Sequence, residues 1–372
     1  MKKEFCLFAL VLLLVLLSGC ASLSPKGKTI LLDESEESAE NVLPLSADFE
    51  VKRVVPVSLD KIDPDGLHPD VKHAMCGWMD NERLQVFSVC TSTLSKDVLP
   101  EGAVEQQTER VLTQFATLNY QYGFFEPVLT LADLRADCCG VSEDGKMMAC
   151  IAGNTLSVYN MTDGKLLTSL NRDILAPRVT FAKGENKVYF TSTGEQKRLE
   201  VLNLDTLAAR TVLDERSYRV LCGNSENMLL TVVSQGSEEI SYFKGGTLYS
   251  AVLSGKRSGT ACLLPDGSAL LVYGDDLYRV TTDGAALLQS GINAFAFDER
   301  TGHIAYVQRN ADGTNDINIG AYENGIFDRG RLAYKDTGLA VSNLLFNSDL
   351  HKLYVQGTND QSEQKAYVVE FE

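Results

Sequence analysis

The chain has 372 residues, a net charge of −16 and a composition, 44% hydrophobic and 23% charged, that suits a globular protein with a sizeable core. Its length fits one large domain or two ordinary ones. No cluster of lysine and arginine offsets the acidic balance, so phosphate backbones would repel the chain, which argues against nucleic acid as a partner.

The first predicted element is a short apolar segment at the N-terminus. Two lysines precede a twelve-residue apolar run, Cys6 to Leu17. The run is shorter than the about 20 residues that a bilayer span needs, and it is typical of a secretory signal. The tetrapeptide Leu17-Ser18-Gly19-Cys20 closely resembles the bacterial lipobox. The resemblance implies a signal peptide over residues 1–19, and fatty acyl chains such as palmitate on Cys20 as a membrane anchor.

Residues 20–46 are predicted to form a flexible acidic tether behind that cysteine. The stretch from Asp33 to Glu40 contains five acidic residues and no apolar period, so it should stay solvated and extended. A flexible chain of this length would hold the rest of the protein on the order of 25–30 Å from the lipid. We therefore expect residues 47–372 to lie outside the cytoplasm, at the cell membrane or the outer membrane.

From residue 47 onward the sequence repeats a pattern of four short strands. In residues 139–167 (CGVSEDGKMMACIAGNTLSVYNMTDGKLL), turns at 142–146 and 162–165 separate β-type runs such as Met147–Ile151 and Leu156–Tyr159. The first turn occurs seven times along the chain. The second recurs in steps of 41, 42, 40, 38 and 41 residues, at Gly123, Gly164, Thr206, Gly246, Gly284 and Gly325. This period predicts an all-β, seven-bladed β-propeller of four-stranded antiparallel blades, with six or eight blades as alternatives.

The two ends of the repeat predict how the ring closes. The seventh unit has three strand candidates, at 344–346, 352–356 and 366–371, and then the chain stops. Residues 49–59 form a strand-like run before the first unit. Pairing this N-terminal strand with residues 366–371 would complete the last blade and remove an exposed sheet edge.

One repeat unit also resembles a known family. The pattern S-x-D-G-K…L-x-V-Y-x-x-x-x-G-K, from Ser142 to Lys165, is similar to the WD40-like repeats of bacterial periplasmic propellers such as the Tol-system translocation protein. The resemblance implies the same fold.

Propellers that are enzymes contain sequence motifs that this sequence lacks. Trp78 is the only tryptophan, which argues against blades locked by repeated tryptophans, and no nucleophile elbow or zinc motif occurs. A metal-dependent propeller hydrolase or lactonase with its site in the central channel remains the alternative. Acidic, histidine or asparagine side chains converging at one channel mouth would favour it.

Two loops contain possible metal ligands. Residues 60–70 contain Asp60, Asp63, Asp65 and His68, but the ligand spacing is not that of a cation site and an exposed loop explains the composition. Residues 308–318 resemble a calcium loop, yet Gln308 occupies the position that requires an aspartate. We predict neither a bound metal nor a cofactor.

The seven cysteines after Cys20 permit one disulfide. In the hairpin at 138–150, a three-residue loop would place Cys138 opposite Cys150, and a two-residue loop would place Cys139 there. Most of the others fall in the innermost strand of a unit, where cysteine is usually a small buried hydrophobe. Cysteines of different blades are expected to lie too far apart to bond.

The longest loops predict the binding face. Loops at 60–70, 93–109, 308–316 and 357–364 join second to third or fourth to first strands. They contain many acidic residues, which favour a partner with a basic surface: Asp60, Asp63, Asp65, Asp312, Asp316 and Asp360. The sequence thus predicts a membrane-anchored lipoprotein whose propeller is a non-enzymatic scaffold or binding module for an envelope protein or a peptide.

Overall fold

The computed structural model describes residues 49–59, 70–93, 109–132, 134–174, 178–193, 197–234 and 237–372. The lipobox, the tether and the loop residues Asp60, Asp63, Asp65 and His68 lie outside these ranges. No helix among the described residues is long and apolar enough to cross a bilayer.

The described residues form seven four-stranded antiparallel sheets, which confirms the predicted seven-bladed propeller. Blade 1 consists of β2 (Asp70–Trp78), β3 (Arg83–Thr93), β4 (Glu109–Asn119) and β5 (Phe125–Ala132). Blade 2 consists of β6 (Cys138–Val141), β7 (Met147–Ala152), β8 (Thr155–Asn160) and β9 (Leu166–Asn171). Blade 3 consists of β10 (Val179–Phe181), β11 (Lys187–Thr193), β12 (Lys197–Asn203) and β13 (Ala208–Asp214). Blade 4 consists of β14 (Tyr218–Gly223), β15 (Asn227–Ser234), β16 (Ser237–Lys244) and β17 (Thr247–Lys256).

The remaining blades follow the same order. Blade 5 consists of β18 (Ser258–Leu263), β19 (Ala269–Tyr273), β20 (Asp276–Thr281) and β21 (Gly284–Ser290). Blade 6 consists of β22 (Ile292–Asp298), β23 (His303–Arg309), β24 (Asn315–Glu323) and β25 (Ile326–Tyr334). Blade 7 consists of β26 (Ala340–Phe346), β27 (Lys352–Thr358), β28 (Gln364–Phe371) and the N-terminal strand β1 (Val51–Pro56).

Burial within a blade explains the strand sequences. The second strand of blade 2, MMACIA, is buried at four consecutive positions because neighbouring blades cover both of its faces. The fourth strand, LLTSLN, contains no buried position because it lies at the outer edge of the blade. The core is therefore divided among the interfaces between blades. At one of them, Ala149 and Ile151 of blade 2 pack with Val188 and Phe190 of blade 3.

The ring closes as the sequence predicts. β1 pairs antiparallel with β28, so that Val54 faces Val369, and it supplies the fourth strand of blade 7. Glu370 strengthens this junction: it accepts hydrogen bonds from Arg53 Nε at 2.5 Å and from the Tyr120 hydroxyl of blade 1 at 2.6 Å.

The first hairpin of blade 2 has a longer loop than predicted. Ser142 N donates to Met147 O at 2.9 Å, which leaves four residues, 143–146, in the loop instead of two or three. The Ser142 hydroxyl stabilises this wider turn because it accepts from Met147 N at 2.9 Å and donates to Asp144 at 2.7 Å. Gly145 has a φ of 68°, a backbone conformation that glycine adopts without strain.

The two ends of the ring have different connections. We name the end with the turns between first and second strands the turn face, and the opposite end the loop face. Because Val51 pairs with Phe371, and Phe371 N donates to His351 O in the blade 7 turn, β1 begins at the turn face. The chain therefore reaches the propeller from its N-terminal segment at that face.

Candidate binding site at the channel mouth

A cavity of about 870 Å³ occupies the central channel at the turn face. The inner strands of five blades, 2 to 6, end around it. Small residues on these strands, among them Gly140, Cys222, Ala261 and Cys262, leave the space open. The volume lies within the range of about 300–1,000 Å³ that is usual for ligand pockets.

The cavity has an apolar wall and a charged rim. Val179, Leu221 and Phe297 contribute to the wall. The charged residues lie around the opening, in the turns or, for Asp298, at the end of β22. The charged rim residues are Glu143, Lys183, Asp298, Glu299 and Arg300.

Lys183 bridges four blades at this mouth. Its backbone N, in the turn of blade 3, donates to Gly223 O of blade 4 at 2.8 Å. Its ammonium donates to Leu263 O of blade 5 at 2.7 Å and forms an ion pair with Glu299 of blade 6. The side chain therefore crosses part of the opening and holds the turns of these blades together.

The other charged residues at the rim differ in whether they interact with neighbouring protein groups. Arg300 donates to Asp298 at 3.0 Å and to Ser348 O of blade 7. Glu143, by contrast, is exposed and forms no ion pair with any described residue. It lines both the 870 Å³ cavity and an adjoining cavity of about 610 Å³ that extends to the inner strands of blades 1 and 7. Glu143 is thus positioned to contact a bound partner.

The turn face is strongly acidic. The seven turns between first and second strands contain nine acidic residues and three lysines or arginines. The acidic residues are Asp80, Glu82, Glu143, Asp144, Glu185, Glu226, Asp266, Glu299 and Asp349; the basic ones are Lys146, Lys183 and Arg300. Arg83, Lys187 and Arg279 of the blade strands pair with Asp80, Glu185 and Asp266, so an excess of three negative charges remains to attract a basic partner.

The loop-face acids that the structure describes have local roles. Asp312 accepts from Thr314 N at 2.9 Å and from its hydroxyl at 2.7 Å, and these bonds lower the pKa of Asp312. Asp316 accepts from Asp336 N at 2.7 Å. Asp360 lies in the exposed turn before β28. Binding at the loop face stays a prediction, and the cavities described above open at the turn face. The cluster of acidic turns was the sequence signal for that face.

The cysteines form a contact that the sequence argument missed. Cys139 faces Cys150 across the blade 2 hairpin, while Cys138 faces Ile151. Cys139 also lies beside Cys76 of blade 1, although cysteines of different blades were expected to lie apart. The interaction between the two thiols lowers the pKa of Cys76 and raises that of Cys139. The reason is that inner strands converge at the channel, where side chains of adjacent blades can meet. All seven cysteines among the described residues are free thiols.

The donor groups at the mouth do not favour a metal site. No three histidine, cysteine or acidic side chains among the described residues converge as a metal ion requires. Asp298 and Glu299 instead interact with Arg300 and Lys183.

Comparisons with known proteins agree on the fold. No protein family and no curated protein matches the chain by sequence. The WD40 repeats of RRP9 superpose with a TM-score of 0.53 and 12% identity, covering 88% of this chain and 99% of that one. An oligogalacturonate lyase in complex with manganese superposes with a TM-score of 0.55 and 11% identity, covering 87% of this chain and 98% of that one. At these identities the similarity establishes a WD40-like β-propeller fold and no shared activity.

Proposed function

We propose that the protein is a membrane-anchored extracytoplasmic lipoprotein whose propeller is a non-enzymatic binding module. Its partner is an envelope protein or peptide with a basic surface, which docks at the turn face. The observation that carries the proposal is the 870 Å³ apolar cavity, which opens within an acidic ring of turns. An apolar centre inside a charged rim is the usual anatomy of a protein-binding surface.

The position of β1 supports the same surface. The tether predicted over residues 20–46 leads to Phe49 and to β1, which begins at the turn face. A protein anchored through Cys20 would therefore be tethered at the face that contains the channel mouth, by a chain that spans about 25–30 Å. A partner that is itself held at the membrane would be within reach of this face.

Affinity capture from detergent-solubilised membranes tests the proposal. We expect wild-type protein to retain a specific partner that the Glu143→Arg variant loses, because a basic partner would meet a positive charge at the rim. Glu226→Arg is the matched control: it makes the same charge change at an exposed turn of blade 4, outside the residues that line the cavity. If the Glu143→Arg and Glu226→Arg variants capture equal amounts of the partner, binding at the channel mouth is contradicted.

A further inference from the structure

A second, smaller cavity opens at the turn face between blades 5 and 6. Its volume is about 280 Å³. Three segments form it: the turn of blade 5 with Asp266, the turn of blade 6 with Glu299 and Arg300, and the end of β24 with Tyr322 and Glu323. The volume lies just below the usual range for drug-sized ligands, so the space suits one side chain of a larger partner.

Two aromatic rings form the apolar side of this cavity. Phe297 and Tyr322 pack edge to face, with ring centroids 6.4 Å apart and an interplanar angle of 79°. Tyr322 is only 5% exposed, and its hydroxyl is buried without a hydrogen-bond partner among the described residues. Phe297 is partly exposed, and a cation that approaches the face of its ring would be attracted to it.

The charges around the cavity are predominantly negative. Among the lining residues, Asp266, Glu299 and Glu323 outnumber Arg300, and Arg279 lies beside Gly325 at the edge of the cavity. Asp266 pairs with Arg279 at 2.8 Å and Glu299 pairs with Lys183, whereas Arg300 is held by Asp298. Glu323 forms no ion pair with any described residue, and its carboxylate accepts only a long bond, 3.4 Å, from its neighbour Asn324. One carboxylate is therefore available beside the aromatic rings.

From this arrangement we propose that the cavity between blades 5 and 6 binds a single lysine or arginine side chain of the partner. The aliphatic stem of the side chain lies against Phe297 and Tyr322, and its cationic end meets Glu323. The inference rests on the proposed function, because it names an anchoring point for a basic partner at the turn face. Arg300 lines both this cavity and the 870 Å³ cavity, so one partner can occupy the two sites together.

Binding of labelled hexalysine and hexaarginine to the full-length protein in detergent tests this assignment. Phe297→Leu keeps an apolar side chain and removes no charge, and we expect it to weaken binding about two- to fivefold. Because Phe297 also lines the 870 Å³ cavity, the variant at Glu323, which lines only the smaller cavity, assigns the effect to that cavity. Glu323→Gln should weaken binding about two- to fivefold as well. The matched control Glu226→Gln removes the same charge from the same face, away from the cavity, and should have a smaller effect. The peptide whose binding is weakened more by Phe297→Leu identifies the preferred side chain.

Several outcomes would overturn the proposal. If the peptides were attracted only by the overall negative charge of the turn face, Glu323→Gln and Glu226→Gln would weaken peptide binding equally. Phe297→Leu would then have no effect on binding. If neither peptide binds to wild-type protein, the proposal is also overturned. Glu323 is exposed, so its variant remains informative if Phe297→Leu reduces stability. The capture experiment with Glu143→Arg does not depend on this cavity, so the proposed function can stand if the side-chain site fails.

Discussion

Among single residues, Cys76 has the most distinctive chemistry. The neighbouring Cys139 thiol lowers the pKa of Cys76, and Cys76 lines the cavity next to blade 1. Burial raises the pKa of Cys262 to about 12. Because the thiolate is the reactive form, we expect iodoacetamide at pH 8 to modify Cys76 before Cys262 in the reduced protein. Mass-spectrometric mapping over time measures the order.

The Cys139→Ala variant is the control for this prediction. It removes the neighbouring thiol, so the reaction at Cys76 should slow. A Cys76 that reacts after Cys262, or at an unchanged rate in the variant, would contradict the effect assigned to Cys139.

Oxidation should produce one disulfide, and it should include Cys139. Directly opposed residues of an antiparallel pair have Cα atoms about 4.5–5.5 Å apart, which is within the range that a disulfide spans. Cys150 is the expected partner from the hairpin register, and Cys76 is the competitor across the blade boundary. Non-reducing peptide mapping distinguishes them, and a bond from Cys138 to Cys150 would contradict the register.

Glu370 makes the closure of the ring sensitive to pH. Burial opposes its charge, but hydrogen bonds from Arg53 and Tyr120 outweigh that effect and lower its pKa below the ordinary 4.5. The unfolded chain therefore binds the proton more tightly. The stability from Glu370 is complete above 4.5 and is lost as the pH falls through the folded-state pKa.

Replacing this buried carboxylate tests the pH argument. Glu370→Gln should lower the unfolding free energy at pH 7 by about 1–3 kcal/mol and weaken its dependence on acid pH. Glu363→Gln is the comparison, because Glu363 also has a lowered pKa but its partner Lys365 is exposed. Equal thermal unfolding curves for the two variants between pH 3 and pH 7 would argue against this role of Glu370.

Among the elements, β1 has the largest predicted effect on the whole ring. It supplies the outer strand of blade 7, and Val54 and Val55 pack against two different parts of the core. Deleting residues 49–56 should cost about 3–6 kcal/mol through lost strand pairing and apolar burial. It should also promote aggregation, because β28 becomes an open edge.

Thermal unfolding and light scattering measure both effects of that deletion. Removing residues 26–41 from the predicted tether is the control, and it should leave the unfolding temperature unchanged. A deletion of 49–56 that unfolds like wild type would contradict closure by β1.

Strands and turns were predictable where a short stretch of sequence is enough to define them. Turn residues such as Gly145 and short β-type runs placed the four strands of blade 2, and the unpaired run at 49–59 predicted the closing strand. The length of the first hairpin loop was not predictable, because the Ser142 hydroxyl, which competes for backbone groups, selected the wider turn.

At the scale of the whole molecule, the predicted anchor at Cys20 would determine where the propeller works. The lipobox predicts that Cys20→Ala releases the protein from membranes or leaves it as an uncleaved precursor. Fractionation combined with labelling by a radioactive fatty acid tests this. Wild-type protein without label, or a variant that remains membrane-bound like wild type, would contradict acylation at Cys20.

The sequence period predicted the seven blades because each repeat is a local unit of about forty residues. The open channel mouth was not predictable, since it depends on small side chains that five separate blades bring together, such as Gly140 and Ala261. The Lys183–Glu299 bridge joins residues more than one hundred positions apart in sequence. Contacts of this range become visible only when the ring is closed.

The most direct test of the central claim compares the two faces in living cells. A photo-crosslinking amino acid is placed at Glu143 on the turn face, at Asp360 on the loop face, or at Leu287 on the exposed outer strand of blade 5. We predict a discrete cross-linked partner from position 143 and none from 360 or 287. A partner captured from position 360 and not from 143 would place the binding site on the loop face and contradict the account.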